Sequence, residues 1–276
     1  MRKIEPNQIL DILNINKTMS YSDIAKMLNC SKPLIQYWFR KLGIKRDRIS
    51  QQKINNTNRN KPIIISDEAK EILVGTLLGD STVRKYNRNC ESARILNSCI
   101  CCGHSYLQKE YALYLKKCLE NAGLKISYTE NRKITYRYIK DHIAKTNGRC
   151  DVSTQKNISF NSWRDDWYPN GKKIVPRNIE NIISAKSLAF WFMDDGVLSN
   201  TKKEKHYIVC TQSFTCEDVD YLREILLKKF NIHTTRQKNI SGPIIYIRSC
   251  SKKLFTELIR PYVCETMKYK LIDYWA

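Results

Sequence analysis

The chain has 276 residues, enough for one large domain or for a domain of ordinary size with a small module beside it. Its formal charge of +21, from 48 basic and 27 acidic residues, favours a polyanionic partner. No apolar run is long enough to span a membrane and no secretory signal is evident, so we expect an intracellular protein whose 11 cysteines are reduced thiols.

Residues 1–45 predict a small all-α module. Apolar residues recur at helical spacing over residues 7–16, and two short helices follow within residues 20–44, where Ser20 and Ser31 stand at N-cap positions. Two short helices across a tight turn form the helix-turn-helix pattern, although an unrelated helical bundle fits the same spacing. The apolar side chains expected inside are Ile24, Ala25, Met27, Leu28, Leu34, Ile35, Trp38 and Leu42.

The second of these short helices would expose a side rich in hydrogen-bond donors, which suit phosphates and base edges. That side carries Lys32, Gln36, Tyr37, Arg40 and Lys41. The stretch that follows lacks apolar periodicity and is basic and rich in Asn and Gln. We therefore place a basic linker at residues 46–65, able to lie along DNA.

The rest of the chain contains an internal repeat. Residues 72–80 (ILVGTLLGD) and residues 187–195 (SLAFWFMDD) each predict a short apolar helix that ends in an acid, and similar elements follow each of them in the same order. The sequence therefore predicts an α+β fold made of two αββαββα halves related by pseudo-two-fold symmetry. The first half is placed at residues 66–180 and the second at residues 181–276.

Period-two alternation and helical periodicity place the elements within the halves. In the first half, strands are predicted near 94–101, 134–139 (ITYRYI) and 152–160 (VSTQKNISF), and a helix at 105–122. In the second half, strands are predicted at 207–214, 232–236 and 243–249, and helices at 217–230 and 251–260.

The two acids that end the repeated helices, Asp80 and Asp195, stand where a helix carries partial negative charge, so something positive should compensate them. If the helices pack side by side, with Gly75 and Gly79 allowing close approach, the carboxylates converge and repel unless they share hard divalent cations. Mg²⁺ or Mn²⁺ in such a site suits phosphodiester hydrolysis, whereas the alternative is a pair of ordinary exposed caps. One of Asp194 and Asp195 must face away from the metal, since neighbours on a helix point about 100° apart. Register with Asp80 selects Asp195 as the metal ligand, so we expect Asp194 to have a supporting or structural role.

A cluster of thiols and one imidazole follows the first acid. It consists of Cys90, Cys99, Cys101, Cys102 and His104, and its spacing matches no strong zinc template. The alternation in RILNSCICC is typical of a strand with buried cysteines. We therefore expect packed thiols here and no zinc.

The sequences LVGTLLGDS (73–81) and LAFWFMDDG (188–196) resemble the two motifs of the LAGLIDADG homing endonucleases, single-chain type. The second half resembles the monomeric mitochondrial intron-encoded members most closely, in KKIVPRNI (172–179), TQSFTCEDVDYL (211–222), PIIYIRS (243–249) and MKYKL (267–271). The resemblance covers most of residues 66–276. Ser81 departs from the usual closing Gly or Ala, residues 82–160 match only in general pattern, and the first 60 residues fall outside it.

The resemblance implies two saddle-shaped antiparallel sheets across double-stranded DNA, with the motif helices at the interface of the halves. It implies a monomer that cuts both strands across the minor groove in the presence of Mg²⁺, leaving 3′ overhangs in a long asymmetric site. On this resemblance Asp80 and Asp195 bind metal, and Lys173 and Lys270 are the active-site lysines, with Lys172 as an alternative in a register shifted by one residue. A lysine beside the scissile phosphate can polarise water or stabilise developing charge.

The sequence gives weaker support to several further candidates for positioning solvent and for contacting DNA. Gln212, Gln108 and His104 could position solvent, although a cap, a DNA contact or a structural role fits each as well. Strand register decides which basic residues face DNA, so the strand candidates carry no base assignment. They are Arg132, Lys133, Arg137, Tyr138, Lys140, Arg236, Lys238, Asn239 and Arg248.

Two other functions compete with cleavage. One is an intron RNA maturase of the same fold, which assists splicing, and the other is a DNA-binding regulator without catalysis. A regulator needs no metal site, so the pairing of Asp80 with Asp195 and of Lys173 with Lys270 favours the endonuclease over it. A maturase can retain the same acids.

Overall fold

The computed structural model describes residues 5–15, 19–44, 61–85, 97–139, 142–200 and 204–273. The chain divides into two compact units, Met1–Lys61 and Pro62–Ala276. The linker expected at 46–65 lies outside the described residues except for its last five. Within the described part, no helix is both long and apolar enough to cross a membrane, and the cysteines are free thiols.

The described residues of the smaller unit form three helices, α1 (Pro6–Ile15), α2 (Tyr21–Met27) and α3 (Lys32–Lys41). Ser20 caps α2 by accepting a hydrogen bond from the Asp23 main-chain N–H, as its position predicts. Pro33 is tolerated in the first turn of α3, where a helix needs no N–H donor. The core of this unit is Ile9, Ile12, Ile24, Ala25, Ile35 and Phe39.

Three predictions for the smaller unit need correction, two of them for its core and one for a helix cap. Met27 is 63% exposed, because it lies on the far edge of the α2 face that Ile24 and Ala25 bury. Phe39 is buried instead: it follows Ile35 by four residues, so both side chains lie on one face of α3. Ser31 occupies the N-cap position of α3 but its side chain makes no cap hydrogen bond.

The larger unit contains two successive sets of elements. The first set is α4 (Asp67–Leu78), β1 (Thr82–Lys85), β2 (Ser98–Ser105), α5 (Lys109–Asn121), β3 (Ile126–Asn131), β4 (Thr135–Ile139), β5 (His142–Thr146), β6 (Arg149–Thr154) and α6 (Asn161–Trp167). The second set is α7 (Ala185–Asp195), β7 (Gly196–Asn200), β8 (Lys205–Cys210), α8 (Cys216–Phe230), β9 (Thr234–Asn239), β10 (Gly242–Ile247) and α9 (Lys252–Ile259).

The two sets build sheets of the same strand order, which confirms the duplication. One four-stranded antiparallel sheet runs β1-β2-β6-β3 and the other runs β7-β8-β10-β9. The second set has the predicted order αββαββα. The first set adds the hairpin β4–β5 between β3 and β6, and this hairpin is a separate two-stranded sheet.

This hairpin corrects the strand assignment in the first half. The stretch ITYRYI was expected in the main sheet, but it forms β4 of the hairpin. The strand that joins the main sheet is β3, whose burial alternates only weakly because its last two residues are both exposed. Its polar sequence, ISYTEN, therefore gives no strong strand signal.

Each main sheet has one face packed on helices and one face opposite them, called here the open face. In the first sheet, Cys102 pairs with Val152 and His104 with Cys150, and all four side chains are buried on the helix side. Cys101 pairs with Ser153 on the open face, since successive strand residues point to opposite sides. The core under the sheets is continuous across both halves.

The motif helices α4 and α7 pack against each other at the junction of the halves. A Cβ atom added at Gly75 would overlap the main-chain carbonyl oxygen of Ser187, so the absence of a side chain allows the two backbones to approach. The Ser187 hydroxyl donates a hydrogen bond of 2.8 Å to the Glu71 carbonyl across this interface. The predicted close approach at Gly75 is therefore present.

Candidate active site

The motif acids, Asp80 and Asp195, lie at the same end of the packed helices. Asp195 is the last residue of α7, and Asp80 follows α4 by two residues. Burial raises the pKa of the Asp195 carboxyl to about 6, and the nearby Asp80 carboxylate raises it further toward that value. The two carboxylates therefore share one electrostatic environment, as the duplication predicts.

The motif lysines, Lys173 and Lys270, close the carboxyl ends of the two helices. The Lys173 ammonium donates to the carbonyl oxygens of Gly79 and Ser81, at 3.1 and 2.9 Å. The Lys270 ammonium donates to the Met193 carbonyl at 2.6 Å. Each lysine thus places its charge at the negative end of the motif helix in its own half. This is the compensation that two acids at helix C-termini require.

The lysines and the acids are coupled through their charges. Burial lowers the pKa of Lys173 to about 8, while the Asp195 carboxylate opposes that shift. Burial also lowers the pKa of Lys270. In return, both lysines oppose the upward shift of the Asp195 pKa. Lys172, the alternative to Lys173, is exposed.

Asp194 lies between the two halves. Its side chain is fully buried against Gly79, where an added Cβ would overlap it. The Tyr111 hydroxyl donates to its Oδ1 at 2.6 Å, and the Asp80 main-chain N–H donates to its Oδ2 at 3.2 Å. Burial raises the pKa of Asp194 to about 7. Asp194 thus holds the backbone of the first motif acid from the opposite helix, in keeping with the structural role expected for it.

Of the three predicted solvent-positioning residues, the structure brings His104 to the acids. The His104 ring is buried on β2, with Nδ1 3.4 Å from Asp80 Oδ2 and Nε2 3.9 Å from Asp194 Oδ1. Gln212 is half-buried, two residues after the end of β8. Gln108 is half-buried in the 3-10 turn before α5.

A cavity of about 840 Å³ lies beside Asp195 on the side of the second half. Its lining includes Asp195 and Lys270 together with residues of β7 and β8, so a phosphate group or solvent can reach this acid and this lysine together. The residues that line this route to the acid include Asp195, Val197, Lys205, Cys210 and Lys270.

Three residues of the site were not anticipated. Tyr111 hydrogen-bonds to Asp194, and Cys102 lies close to Asp194 and His104. Ser81, which the sequence marked only as a departure from the motif, is buried, and its carbonyl oxygen accepts a hydrogen bond from Lys173. The inward position of Cys102 follows from strand alternation. Nothing in the sequence indicates that Tyr111 meets an acid of the other half.

Residues 70–255 match the sequence model of the LAGLIDADG DNA endonuclease family. The chain belongs to this family. It is 31% identical over 229 residues to the cytochrome b mRNA maturase bI2 of Debaryomyces hansenii, covering 82% of this chain and 81% of that protein. It is 29% identical over 220 residues to the probable intron-encoded endonuclease 1 of Wickerhamomyces canadensis, covering 75% of this chain and 85% of that protein.

A solved structure is similar as well. The homing endonuclease I-WcaI bound to its DNA recognition sequence matches with a TM-score of 0.63 and 26% identity, covering 83% of this chain and 96% of that chain. The resemblance drawn from the two LAGLIDADG motifs is confirmed. The whole of the smaller unit, including α1, α2 and α3, lies outside the family match.

The DNA-binding candidates of the smaller unit lie on α3. Lys32, Tyr37, Arg40 and Lys41 are exposed, and Gln36 is half-buried. The Lys41 ammonium lies over the Trp38 ring, 5.1 Å from its centroid, and also near the Tyr37 ring. One exposed side of α3 is therefore basic and aromatic, as predicted.

The strand candidates of the LAGLIDADG unit are divided between its two faces. Arg236 lies on the same face as the buried Ile245, and its guanidinium is 3.4 Å from Asp220 of α8, so it points toward the helices. Lys238 shares that side by alternation, whereas Asn239 is on the open face. Arg248 is exposed just after β10.

The remaining candidates belong to the hairpin region. Arg132 is exposed and pairs with Glu130 at 2.7 Å, and Lys133 is exposed. Arg137 and Tyr138 are in β4, with side chains outside the described ones, and Lys140 lies outside the described residues.

The observed register identifies polar open-face residues that the sequence could not select. Arg149 pairs with Ser105 and Asn131, so all three share the open face of the first sheet. In the second sheet, Gln237 pairs with Ile244 and therefore points away from the buried Ile245. The polar or aromatic open-face residues include Arg84, Thr129, Asn131, Arg149, Thr235, Gln237, Asn239 and Tyr246.

Proposed function

We propose that this chain is a site-specific homing endonuclease that cuts both strands of DNA across the minor groove, leaves 3′ overhangs and uses Mg²⁺ or Mn²⁺. One observation carries the proposal: each motif acid, Asp80 and Asp195, stands at a helix end that a buried lysine closes. The relatives named as endonucleases, and the similar structure described as bound to its DNA recognition sequence, support the same function.

The donor set of the site fits a hard divalent cation. Asp80 and Asp195 offer carboxylate oxygens, and the rise in the pKa of Asp195 caused by burial and by Asp80 shows that the two negative charges are costly without a counter-charge. These two residues would hold the metal. When bound, Mg²⁺ supplies Lewis-acid activation of water and neutralises phosphate charge.

Lys173 and Lys270 would stabilise charge during the reaction, and Asp194 would align one of the motif acids. Lys173 and Lys270 are held by helix carbonyls, so each ammonium faces the acids in a set orientation without reorganisation. Such fixed charges stabilise the negative charge that develops on a phosphate during hydrolysis. Asp194 holds the Asp80 N–H from the other half, which keeps the first acid aligned with the second.

DNA would lie along the open faces of the two sheets. These faces carry donors and acceptors suited to base edges, and the net charge of +21 favours phosphate contacts. We assign residues 66–180 and 181–276 to the two halves and expect a monomer, because one chain supplies both acids. We assign residues 1–45 to a helix-turn-helix module that adds contacts, joined by a linker at 46–65.

The test is selection of cleaved sites from a genomic or randomised DNA library with Mg²⁺, set against Ca²⁺ as control. Asp195→Asn keeps the shape of the side chain and removes its charge, so it should abolish cleavage and leave specific binding. Asp67→Asn, at an exposed position in the first turn of α4, is the matched control and should cut normally. Cleavage by Asp195→Asn at the rate of the unaltered chain would remove the role assigned to this acid.

A second function is favoured by one observation. The relative from Debaryomyces hansenii is named an mRNA maturase, and this name favours binding of intron RNA as the second candidate function of this chain. A splicing assay with the host intron distinguishes the two activities. If the double variant Asp80→Asn/Asp195→Asn still promotes splicing but no longer cuts DNA, both functions are present and use different chemistry.

A further inference from the structure

A second group of metal-binding side chains lies behind the motif acids. Cys102 and His104 come from β2 of the first half and Asp194 comes from α7 of the second half. One ligand atom from each, the thiol sulfur, an imidazole nitrogen and a carboxylate oxygen, lies within 4.8 Å of the other two. Cys102 Sγ is 3.1 Å from His104 Nε2, which is 3.9 Å from Asp194 Oδ1.

The chemistry of this group differs from that of Asp80 and Asp195. A thiolate, an imidazole and one carboxylate are ligands that Zn²⁺ prefers, while an all-oxygen pair suits Mg²⁺. Three protein ligands leave one position of a tetrahedral site for water or for a nearby hydroxyl. Ser81 is buried and borders the same small void as Cys102, so its hydroxyl can fill that position.

The surroundings of His104 support a metal on its Nε2 atom. Its Nδ1 atom is 3.4 Å from Asp80 Oδ2, so a proton on Nδ1 points to that carboxylate and leaves the Nε2 lone pair facing Cys102 and Asp194. Zinc-bound histidines are oriented in this way, by a carboxylate on the other ring nitrogen. The remaining oxygen of Asp194 is held by the Asp80 N–H, which orients the third ligand too.

We propose that Cys102, His104 and Asp194 form a site for Zn²⁺, separate from the hard-cation site of the motif acids. On binding, the thiol releases its proton to solvent as the metal–sulfur bond forms. Since the ligands come from both halves, the metal ties the halves together and stabilises the LAGLIDADG unit. The proposal goes beyond the nuclease function and does not depend on it.

The first experiment uses Co²⁺ as a spectroscopic substitute for Zn²⁺. The full chain, reduced and freed of metal with a chelator, is titrated with Co²⁺. A thiolate-to-cobalt charge-transfer band and the visible bands of four-coordinate cobalt should appear with one equivalent, and Zn²⁺ should remove them. Cys102→Ser should lose the charge-transfer band. Cys150→Ser, a buried thiol opposite His104 on β6, should retain it.

The second experiment measures thermal unfolding. Zn²⁺ at a hundredfold excess over its Kd should raise the Tm of the unaltered chain by about 5–10 °C, and the rise should vanish in Cys102→Ser. Circular dichroism checks that both serine variants fold. No charge-transfer band in the unaltered chain, or a band that survives in folded Cys102→Ser, would overturn the proposal. Loss of cleavage in Asp195→Asn leaves this spectrum unchanged, so the two proposals fail independently.

Discussion

At the scale of single residues, the site contains two lysines, Lys173 and Lys270, that bind main-chain carbonyls and to which we assign a catalytic role. A buried ammonium is costly, and the lowered pKa of Lys173 and Lys270 records that cost. Main-chain carbonyls at the helix ends and the motif acids offset it. The lysines therefore cannot be exchanged for apolar residues without leaving buried carbonyls and acids unpartnered.

Lys270→Met tests this dual role. The variant keeps the length of the side chain but removes the donor to the Met193 carbonyl, so we expect the free energy of unfolding to fall by about 1–3 kcal/mol. Cleavage in single turnover should fall by about 100-fold or more, since a fixed charge at the phosphate is lost. Lys186→Met, which removes a pair with Glu68, is the control and should cost about 1 kcal/mol or less. Normal cleavage by Lys270→Met would refute the catalytic role.

The raised pKa of Asp195 gives a second prediction. In the folded chain this carboxyl titrates at about 6, against an ordinary value of 3.8, so between these pH values the folded state binds more protons than the unfolded state. Its contribution to stability therefore declines as the pH rises from about 4 to about 6 and stays low above that.

Asp195→Asn removes this titration. Without divalent metal, the variant should gain stability relative to the unaltered chain across this window, by up to about 3 kcal/mol at pH 7. Urea unfolding of both proteins in chelator at pH 4, 5, 6 and 7 measures the difference. A difference that does not change with pH would contradict the assigned pKa.

The sequence predicted the residues of the site whose positions repeat, and missed those that contact across the halves. Asp80 and Asp195 were predicted because the motif helices repeat, and Lys173 and Lys270 were predicted from the resemblance to the family. The contact of Tyr111 with Asp194 has no counterpart, since the position equivalent to Asp194 is Gly79. Such contacts depend on three-dimensional packing and leave no spacing signal in one sequence.

At the scale of elements, the close approach of the two motif helices requires glycine at positions 75 and 79. In the middle of an isolated helix, alanine in place of glycine would stabilise by about 1 kcal/mol. At Gly75 the added Cβ would overlap the Ser187 carbonyl and press on the Phe190 side chain. The backbones of α4 and α7 would then have to separate.

Gly75→Ala should therefore destabilise the chain, by about 1–3 kcal/mol, in spite of the better helix propensity of alanine. Urea unfolding measures whether the free energy of unfolding of Gly75→Ala falls, as expected from the overlap, or rises, as expected from helix propensity alone. A gain in stability would show that the helices are not in close contact at Gly75. Cleavage should fall together with stability, because the two motif acids are carried by these helices.

The sheets show why strand predictions from the sequence were incomplete. Alternation located β8 and β10, whose inward residues are apolar, but it missed β3, whose sequence is mostly polar. Alternation also cannot say which face meets a ligand, because a shift of one residue reverses all side chains. Only the observed pairing of Arg236 with Ile245 places Arg236 on the helix side.

Two neighbouring residues of β9 test the open face. Gln237 lies on it, while Arg236 lies on the helix side beside Asp220. If DNA lies along the open face, Gln237→Ala should broaden the set of selected target sites, with a loss of about 1–3 kcal/mol at the position that it reads. Arg236→Ala should leave the selected sequence unchanged. The opposite result would place DNA on the other face.

At the scale of the whole molecule, the duplicated halves have diverged around their shared axis. Both sheets keep the same strand order, yet the first half adds the β4–β5 hairpin and carries His104 and Tyr111 beside the acids. The second half supplies Asp194 and the large cavity beside Asp195. The two acids therefore act in unlike surroundings, in keeping with an asymmetric target.

We propose that the smaller unit is a separate source of affinity for DNA. Residues 1–61 carry 13 of the 48 basic residues and only 4 of the 27 acidic ones, and they have a hydrophobic core of their own. The motif acids and lysines all belong to the larger unit. Removal of this unit should therefore weaken DNA binding without abolishing catalysis.

We expect a chain lacking residues 1–61 to fold, to bind DNA more weakly and to protect a shorter footprint, while metal-dependent cleavage persists. Its affinity should also fall less steeply with salt, because fewer phosphates are neutralised. Binding titrations at several salt concentrations and footprinting measure both effects. Failure of the shortened chain to fold would show that the larger unit depends on the smaller one. An unchanged footprint and an unchanged salt slope would instead mean that α3 does not touch DNA, whatever the charge of its exposed side.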